Sequence, residues 1–143
     1  MSDNRTFRKQ HKIRFSECDP AGIVFYPMYF VMFNDLLEAW IDEILPDGFH
    51  GLIGERRIGT PTVHLDVSFK AVSRMGDPVW LSLEVQRLGR TSLTVTWDCI
   101  GEDGVVRLST TQTLVLTSLD THRPIPIPDD LRAAIGIRAS DIA

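Results

Sequence analysis

The sequence predicts an α+β domain in which a curved antiparallel sheet wraps one long central helix. Three observations carry this expectation. The second half of the chain alternates apolar and polar residues at period two, the pattern of half-buried antiparallel strands. One segment, Pro27–Leu45, instead repeats its apolar residues at helical spacing. The length of 143 residues suits one compact domain that builds a core without staples, so residues 1–143 read as a single domain.

Taken in order, a first strand is expected at Gln10–Phe15. In the helix, Phe33, Leu36, Leu37, Trp40, Ile44 and Leu45 form an apolar stripe, with Asn34, Asp35, Glu38, Asp42 and Glu43 mostly opposite. Its first two turns, Met28 to Phe33, are apolar all round, as in a helix surrounded by protein. Pro27 suits the first helical position, and Pro46 stops the helix. Thr62–Lys70 follows as a strand, with Val63, Leu65, Val67 and Phe69 expected on a buried face and the residues between them wet. Met75-Gly76-Asp77-Pro78 is a turn into a strand at Val79–Gln86. Leu88-Gly89-Arg90 breaks the chain before the strand Leu93–Cys99, and Gly101-Glu102-Asp103-Gly104 makes a tight hairpin. Val105–Leu119 reads as one long strand rich in threonine and β-branched residues. Arg123–Pro128 is extended, and Asp129–Ile135 forms a short helix ending at Gly136. The sheet covers one side of the helix, so a homo-oligomer, a dimer or a dimer of dimers, is expected to cover the other.

Composition narrows the function. Hydrophobic residues are 43% and charged residues 24%, far from disorder. The longest apolar stretch, Ile23–Phe33, is too short to span a bilayer, and no apolar leader opens the chain, so a cytoplasmic protein without membrane partners is expected. A net charge of −4 argues against nucleic-acid binding. Cys18 and Cys99 make neither a disulfide framework nor a zinc site, and His11, His50, His64 and His122 are scattered. No Gly-x-Ser-x-Gly elbow occurs. Nothing in the pattern calls for a metal or an organic cofactor.

The unusual segment is Phe15-Ser16-Glu17-Cys18-Asp19-Pro20-Ala21-Gly22-Ile23-Val24-Phe25-Tyr26-Pro27, between the first strand and the helix. Proline after Asp19 restricts its backbone and fixes where its carboxylate points. Gly22 allows a positive φ or a close approach, while Ile23–Tyr26 are apolar. On ordinary turn chemistry alone, an aspartate before a proline is a turn or capping residue as readily as a catalyst. Cys18 beside Asp19 is disfavoured as a nucleophile, because an apolar neighbourhood and an adjacent acid both raise a thiol's pKa.

The run from Ile13 to Pro27, IRFSECDPAGIVFYP, resembles the signature of the 4-hydroxybenzoyl-CoA thioesterase family of the hotdog fold. The likeness continues through the Tyr29–Trp40 helix, Gly59-Thr60-Pro61 and Arg90-Thr91-Ser92, covering most of Ile13 to Leu119. It implies an acyl-CoA thioesterase in which Asp19 attacks the thioester carbon or activates water, and the backbone N–H at Tyr26 polarises the carbonyl oxygen. It also implies acyl contacts from Gly22, Ile23, Asn34 and Thr60, and coenzyme A contacts from Arg87, Arg90, Thr91 and Ser92. Thr60 also reads as a strand-entry turn, and the arginines as solvated turn residues.

Two departures from the family pattern matter. Gly89-Arg90 stands where adjacent arginines are usual, so phosphate contact is either weaker or supplied by Arg87, Lys70 or Arg74. Asn34 stands where aromatic-acyl enzymes carry an aspartate that meets the ring hydroxyl, so another aryl or a medium-chain acyl group also suits the site. Phe25, Tyr29, Phe30, Phe33 and Trp40 line an acyl pocket or simply form core. A non-catalytic acyl-CoA-binding module is the alternative; a hotdog-fold hydratase would need a histidine beside Asp19.

Overall fold

The computed structural model describes residues 4–138 and 141. Strand β1 (Thr6–Lys12) leads through a 3-10 turn at Phe15–Glu17 to helix α1 (Pro27–Ile44). A short α2 (Gly48–His50) runs into a π-type turn at Gly51–Glu55 and on to β2 (Ile58–Gly59). Then come β3 (Thr62–Phe69), β4 (Pro78–Leu88), β5 (Ser92–Gly101), β6 (Val106–Val115), β7 (Thr117–Ser118) and α3 (Asp129–Ile135). The main sheet is antiparallel in the order β1-β4-β5-β6-β3, and β2 pairs with β7 beside it.

Helix α1 buries Tyr29, Met32, Phe33, Leu36, Leu37, Trp40 and Ile41. Leu81, Leu83, Val85, Val95, Trp97, Cys99, Leu108 and Leu114 face it as the buried side of β4, β5 and β6. Phe33 stacks on Trp97 with ring centroids 5.5 Å apart, which locks helix to sheet at mid-length. Trp40 Nε1 donates to the Asn4 carbonyl, so the far end of the helix is tied to the start of β1.

Three expectations are corrected, and one further element had no signal to read. The first strand is Thr6–Lys12, and Phe15 lies in the turn after it; this edge strand, rich in Arg and Lys, has no clean apolar alternation to read. Val105–Leu119 divides at Leu116, because β7 leaves the main sheet to pair with β2. The helical segment at Gly48–Glu55 had no amphipathic repeat long enough to mark it. Most consequentially, β3 does not bury one face within this chain: Val63, Leu65 and Phe69 are exposed and Val67 is half-buried. Its alternation is genuine, yet the strand is a sheet edge that α1 covers only in part.

Candidate active site

The segment 17–25 folds as a small hairpin at the Pro78 end of β4. Phe25 N–H donates to the Glu17 carbonyl, Cys18 bridges Val24, and Asp19 N–H donates to the Ile23 carbonyl at 2.9 Å. Asp19-Pro20-Ala21-Gly22 is the turn at its tip, closed by Gly22 N–H to the Asp19 carbonyl. Gly22 sits at φ +81, a conformation that favours glycine. Asp19 Oδ1 accepts the Ala21 N–H at 2.8 Å, and no hydrogen bond reaches Oδ2 among the described residues. The carboxylate therefore performs its turn role with one oxygen and keeps the other available.

Glu17 anchors this hairpin. Its buried carboxylate accepts the Arg14 N–H at 2.8 Å and lies 2.8 Å from His11 Nε2 on β1. A second brace runs from α1, where Tyr29 Oη donates to Ser73 Oγ at 3.0 Å and the Ser73 carbonyl accepts Val24 N–H. The Met75 N–H donates to the Gly22 carbonyl, and Ile23 bridges Arg74. Burial, helped by the neighbouring Glu17 and Asp19 charges, raises the Cys18 thiol above its usual range. Burial also holds Cys99 up at about 11. Both thiols are protonated near neutral pH.

At the base of the hairpin, Tyr26 caps α1 with helical backbone angles, φ −51 and ψ −37. Its N–H therefore lines up with the donors of the first turn, and it has no partner among the described residues. No acidic residue sits in that first turn to offset the positive end of the helix. Tyr26 itself lines a cavity of about 290 Å³, with Ile23, Tyr29, Phe69, Lys70 and Ser73 among its other walls. Phe25, Tyr26, Phe69 and Val72 form an exposed apolar rim.

Asp19 does not line that cavity. It lies on the opposite arm of the hairpin, paired with Ile23, which does line the cavity. Asn34 lines a second cavity of about 270 Å³, between α1, β3 and β6. Thr60 lies just before β3, at the Leu88 end of the sheet, and lines neither cavity. The Arg87–Ser92 hairpin is also at that end. Strand β4 separates it from the Asp19 hairpin by roughly 30 Å. Within one chain, Tyr26, Ile23 and Lys70 come together and Gly22 and Asp19 adjoin them. Arg87, Arg90, Thr91, Ser92 and Thr60 do not.

The arginine hairpin has its own bracing. Gly89 N–H donates to the Ser92 carbonyl, and a Cβ at Gly89 would lie 2.9 Å from Ser92 Oγ. Arg132 of α3 donates to the Gly89 carbonyl at 2.7 Å, and Asp141 Oδ1 accepts the Leu88 N–H at 2.9 Å. Asp141 is in turn held by Arg5, at 2.8 Å, with both side chains almost fully buried. Sequence reading missed Glu17, His11, Arg132 and Asp141; only Glu17 lay inside a motif that marked it.

Residues 13–135 match the thioesterase-like superfamily. The chain belongs to this family. A 1,4-dihydroxy-2-naphthoyl-CoA hydrolase of Synechocystis sp. is 22% identical over 132 residues, 91% of this chain and 94% of that protein. A 4-hydroxybenzoyl-CoA thioesterase of Pseudomonas sp. is 27% identical over 97 residues, 62% and 63% of the two chains. The structure of a gentisyl-coenzyme A thioesterase superposes with a TM-score of 0.77 at 26% identity, covering 90% of this chain and 98% of that one. A crystal structure of a 4-hydroxybenzoyl CoA thioesterase mutant, at 23% identity and a TM-score of 0.82, covers 92% and 99% and shares the hotdog fold. This thioesterase-family chain is a thioester hydrolase, as the motif at Asp19 implied. Among the described residues, no helix is long and apolar enough to cross a membrane.

Proposed function

We propose that the chain hydrolyses the thioester of an aromatic acyl-CoA, releasing the free acid and coenzyme A. Asp19 supplies the attacking oxygen or activates a water, and the Tyr26 N–H receives the negative charge that develops on the carbonyl oxygen. The observation that carries this reading is the Tyr26 amide, without a partner among the described residues, at the uncompensated positive tip of α1, on a residue that lines a cavity beside the Asp19 hairpin. The relatives named above act on aromatic acyl-CoA thioesters, which supports the aromatic class over a medium-chain one.

A second copy of the chain completes the site. Strand β3 is an edge with exposed Val63, Leu65 and Phe69, and pairing two such edges antiparallel would bury them. That pairing sets the start of one β3 beside the end of the other. The partner's Thr60 end and arginine hairpin are thereby carried toward the cavity at Tyr26. Arg90, with Arg87, then meets the coenzyme A phosphates, and Lys70 at the rim of the cavity adds a cation. The hydratase alternative lacks support here, because His11 is bonded to Glu17 rather than to Asp19.

Asp19→Asn tests the reading, since the amide oxygen still accepts the Ala21 N–H. Thiol release from aromatic acyl-CoA substrates is expected to fall at least about a hundredfold with binding retained. Wild-type rates in this variant would remove Asp19 from the mechanism. A wild-type chain inert across a broad acyl-CoA panel would favour the binding module.

A further inference from the structure

The turn between β4 and β5 is closed by one hydrogen bond, from the Gly89 N–H to the Ser92 carbonyl. A four-residue turn of this kind often makes the opposite bond as well, from the last N–H to the first carbonyl. That bond, Ser92 N–H to the Gly89 carbonyl, is absent among the described residues. Arg132 of α3 takes the carbonyl instead, at 2.7 Å. The same guanidinium reaches the Arg90 carbonyl at 3.3 Å, to which the Ile127 N–H also donates at 2.9 Å. Two successive carbonyls are thus drawn toward the α3 side of the turn.

A trans peptide is planar, and its N–H points opposite to its C=O. Holding the Gly89 and Arg90 carbonyls toward α3 therefore turns the Arg90 and Thr91 N–H groups away from it. Neither N–H has a partner among the described residues. Two adjacent amides that point out of a turn make a concavity suited to an anion. Arg90 is exposed and Gly89 half-buried, so water would satisfy these carbonyls equally well. The arginine fixes their direction rather than meeting a need for donors. Among the described residues Arg132 forms no ion pair, so its charge stands uncompensated behind the turn.

We propose that Arg132 is a positioning residue for the coenzyme A phosphates, holding the turn so that the Arg90 and Thr91 amides face the anion. This rests on the reading of the chain as an acyl-CoA thioesterase whose arginine hairpin meets the nucleotide end of its substrate. It adds a residue of α3 that acts through the turn without touching substrate. Without Arg132 the Gly89–Arg90 peptide plane is free to rotate, and a flipped plane aims a carbonyl oxygen at the phosphate, which repels it. The effect is confined to the nucleotide end, because no residue of the turn lines the cavity at Tyr26.

The test compares an aromatic acyl-CoA that the wild type cleaves with the matching acyl-pantetheine, the same thioester without its nucleotide. Wild type, Arg132→Met and Arg132→Lys are assayed side by side. Methionine removes the donors and the charge, whereas lysine keeps the charge and a donor for the Gly89 carbonyl. In Arg132→Met, KM for acyl-CoA is expected to rise about tenfold with kcat within about twofold. Both constants for acyl-pantetheine stay within about twofold, and Arg132→Lys brings KM for acyl-CoA back to within about threefold of wild type. A purely structural contact would shift both substrates together or neither, and either result overturns the proposal. Should Arg132→Met fail to fold, Arg132→Gln is read by the same criterion, with a rise of at least about threefold for acyl-CoA alone. If the wild type cleaves no thioester, the thioesterase reading falls, and calorimetry with adenosine 3′,5′-bisphosphate decides the turn. Binding that weakens about tenfold in Arg132→Met upholds the role of Arg132, while equal binding, or none in the wild type, refutes it.

Discussion

The two ends of strand β4 are organised by opposite means. At the Pro78 end, the Asp19 hairpin closes on backbone bonds within a short stretch of sequence and is braced by backbone bonds from Ser73 and Met75, with Glu17 and Tyr29 as its side-chain anchors. At the Leu88 end, the arginine hairpin is held by side chains from remote segments: Arg132 on α3, and the buried Arg5–Asp141 pair that joins both ends of the chain. The turn and ladder of the first region close locally, so it reads as a motif even though residues 73–75 brace it. The second depends on tertiary contacts, so its geometry is invisible until the chain is folded. The proposed site, which draws on both hairpins, needs local chemistry and remote bracing together.

The largest effect that sharpens this contrast is on stability. Replacing Asp141 by Asn leaves the almost fully buried Arg5 guanidinium facing a neutral group, and breaking a buried pair costs about 3–5 kcal/mol. Hydrogen bonds from Arg5, supported by the Arg138 and Leu88 amides, hold the Asp141 carboxyl well below the usual carboxylate range. Because its folded pKa is depressed, its contribution is complete above the unfolded value, about 3.9, and is lost as pH falls through the folded value. Urea melts are expected to separate wild type and Asp141→Asn widely at pH 7, with the gap closing under strong acid. A gap unchanged by acid would deny the ion pair its role.

Much of this architecture was legible before folding, and the reasons differ by element. Helix α1 announced itself through its apolar stripe between Pro27 and Pro46, and α3 ended at Gly136 as the sequence indicated. The strands β4 and β5 alternate because one face meets the helix. The same alternation misled at β3, since periodicity reports that a face is apolar and not which molecule covers it. The turn at Asp19 and the helix start at Tyr26–Pro27 were legible from the motif. The bracing of the arginine hairpin was not, because it comes from Arg132 on α3 and from the Arg5–Asp141 pair, far away in sequence.

A second experiment asks whether the two ends of β4 belong to one active site across two copies. Arg90→Ala is expected to raise KM for acyl-CoA about tenfold, the cost of roughly 1.4 kcal/mol of phosphate contact, with kcat little changed. Mixing Arg90→Ala copies with Asp19→Asn copies then separates the geometries. If Asp19 and Arg90 of different copies share a site, each mixed dimer holds one intact site. Random pairing then restores roughly a quarter of wild-type activity at substrate well below KM. If both residues served the same site from one chain, no mixed dimer would hold an intact site, and the mixture would show only the average of its parents.

The smallest effect concerns the residue next to Asp19. Cys18 shares the hairpin arm, and its Sγ contacts the Arg14 carbonyl at 3.4 Å, so position alone makes it a rival nucleophile. Its chemistry does not. Burial and the charges of Glu17 and Asp19 all raise its pKa, and a protonated thiol is a poor attacking group. Cys18→Ala is therefore expected to keep thiol release within about twofold of wild type, since it trims a half-buried side chain and leaves the Cys18–Val24 backbone bridge in place. Alkylation of Cys18 should accelerate only at higher pH than for an ordinary exposed thiol, followed by mass spectrometry across a pH series. A collapse of turnover in Cys18→Ala, with Asp19→Asn still active, would transfer the attack from the carboxylate to the sulfur.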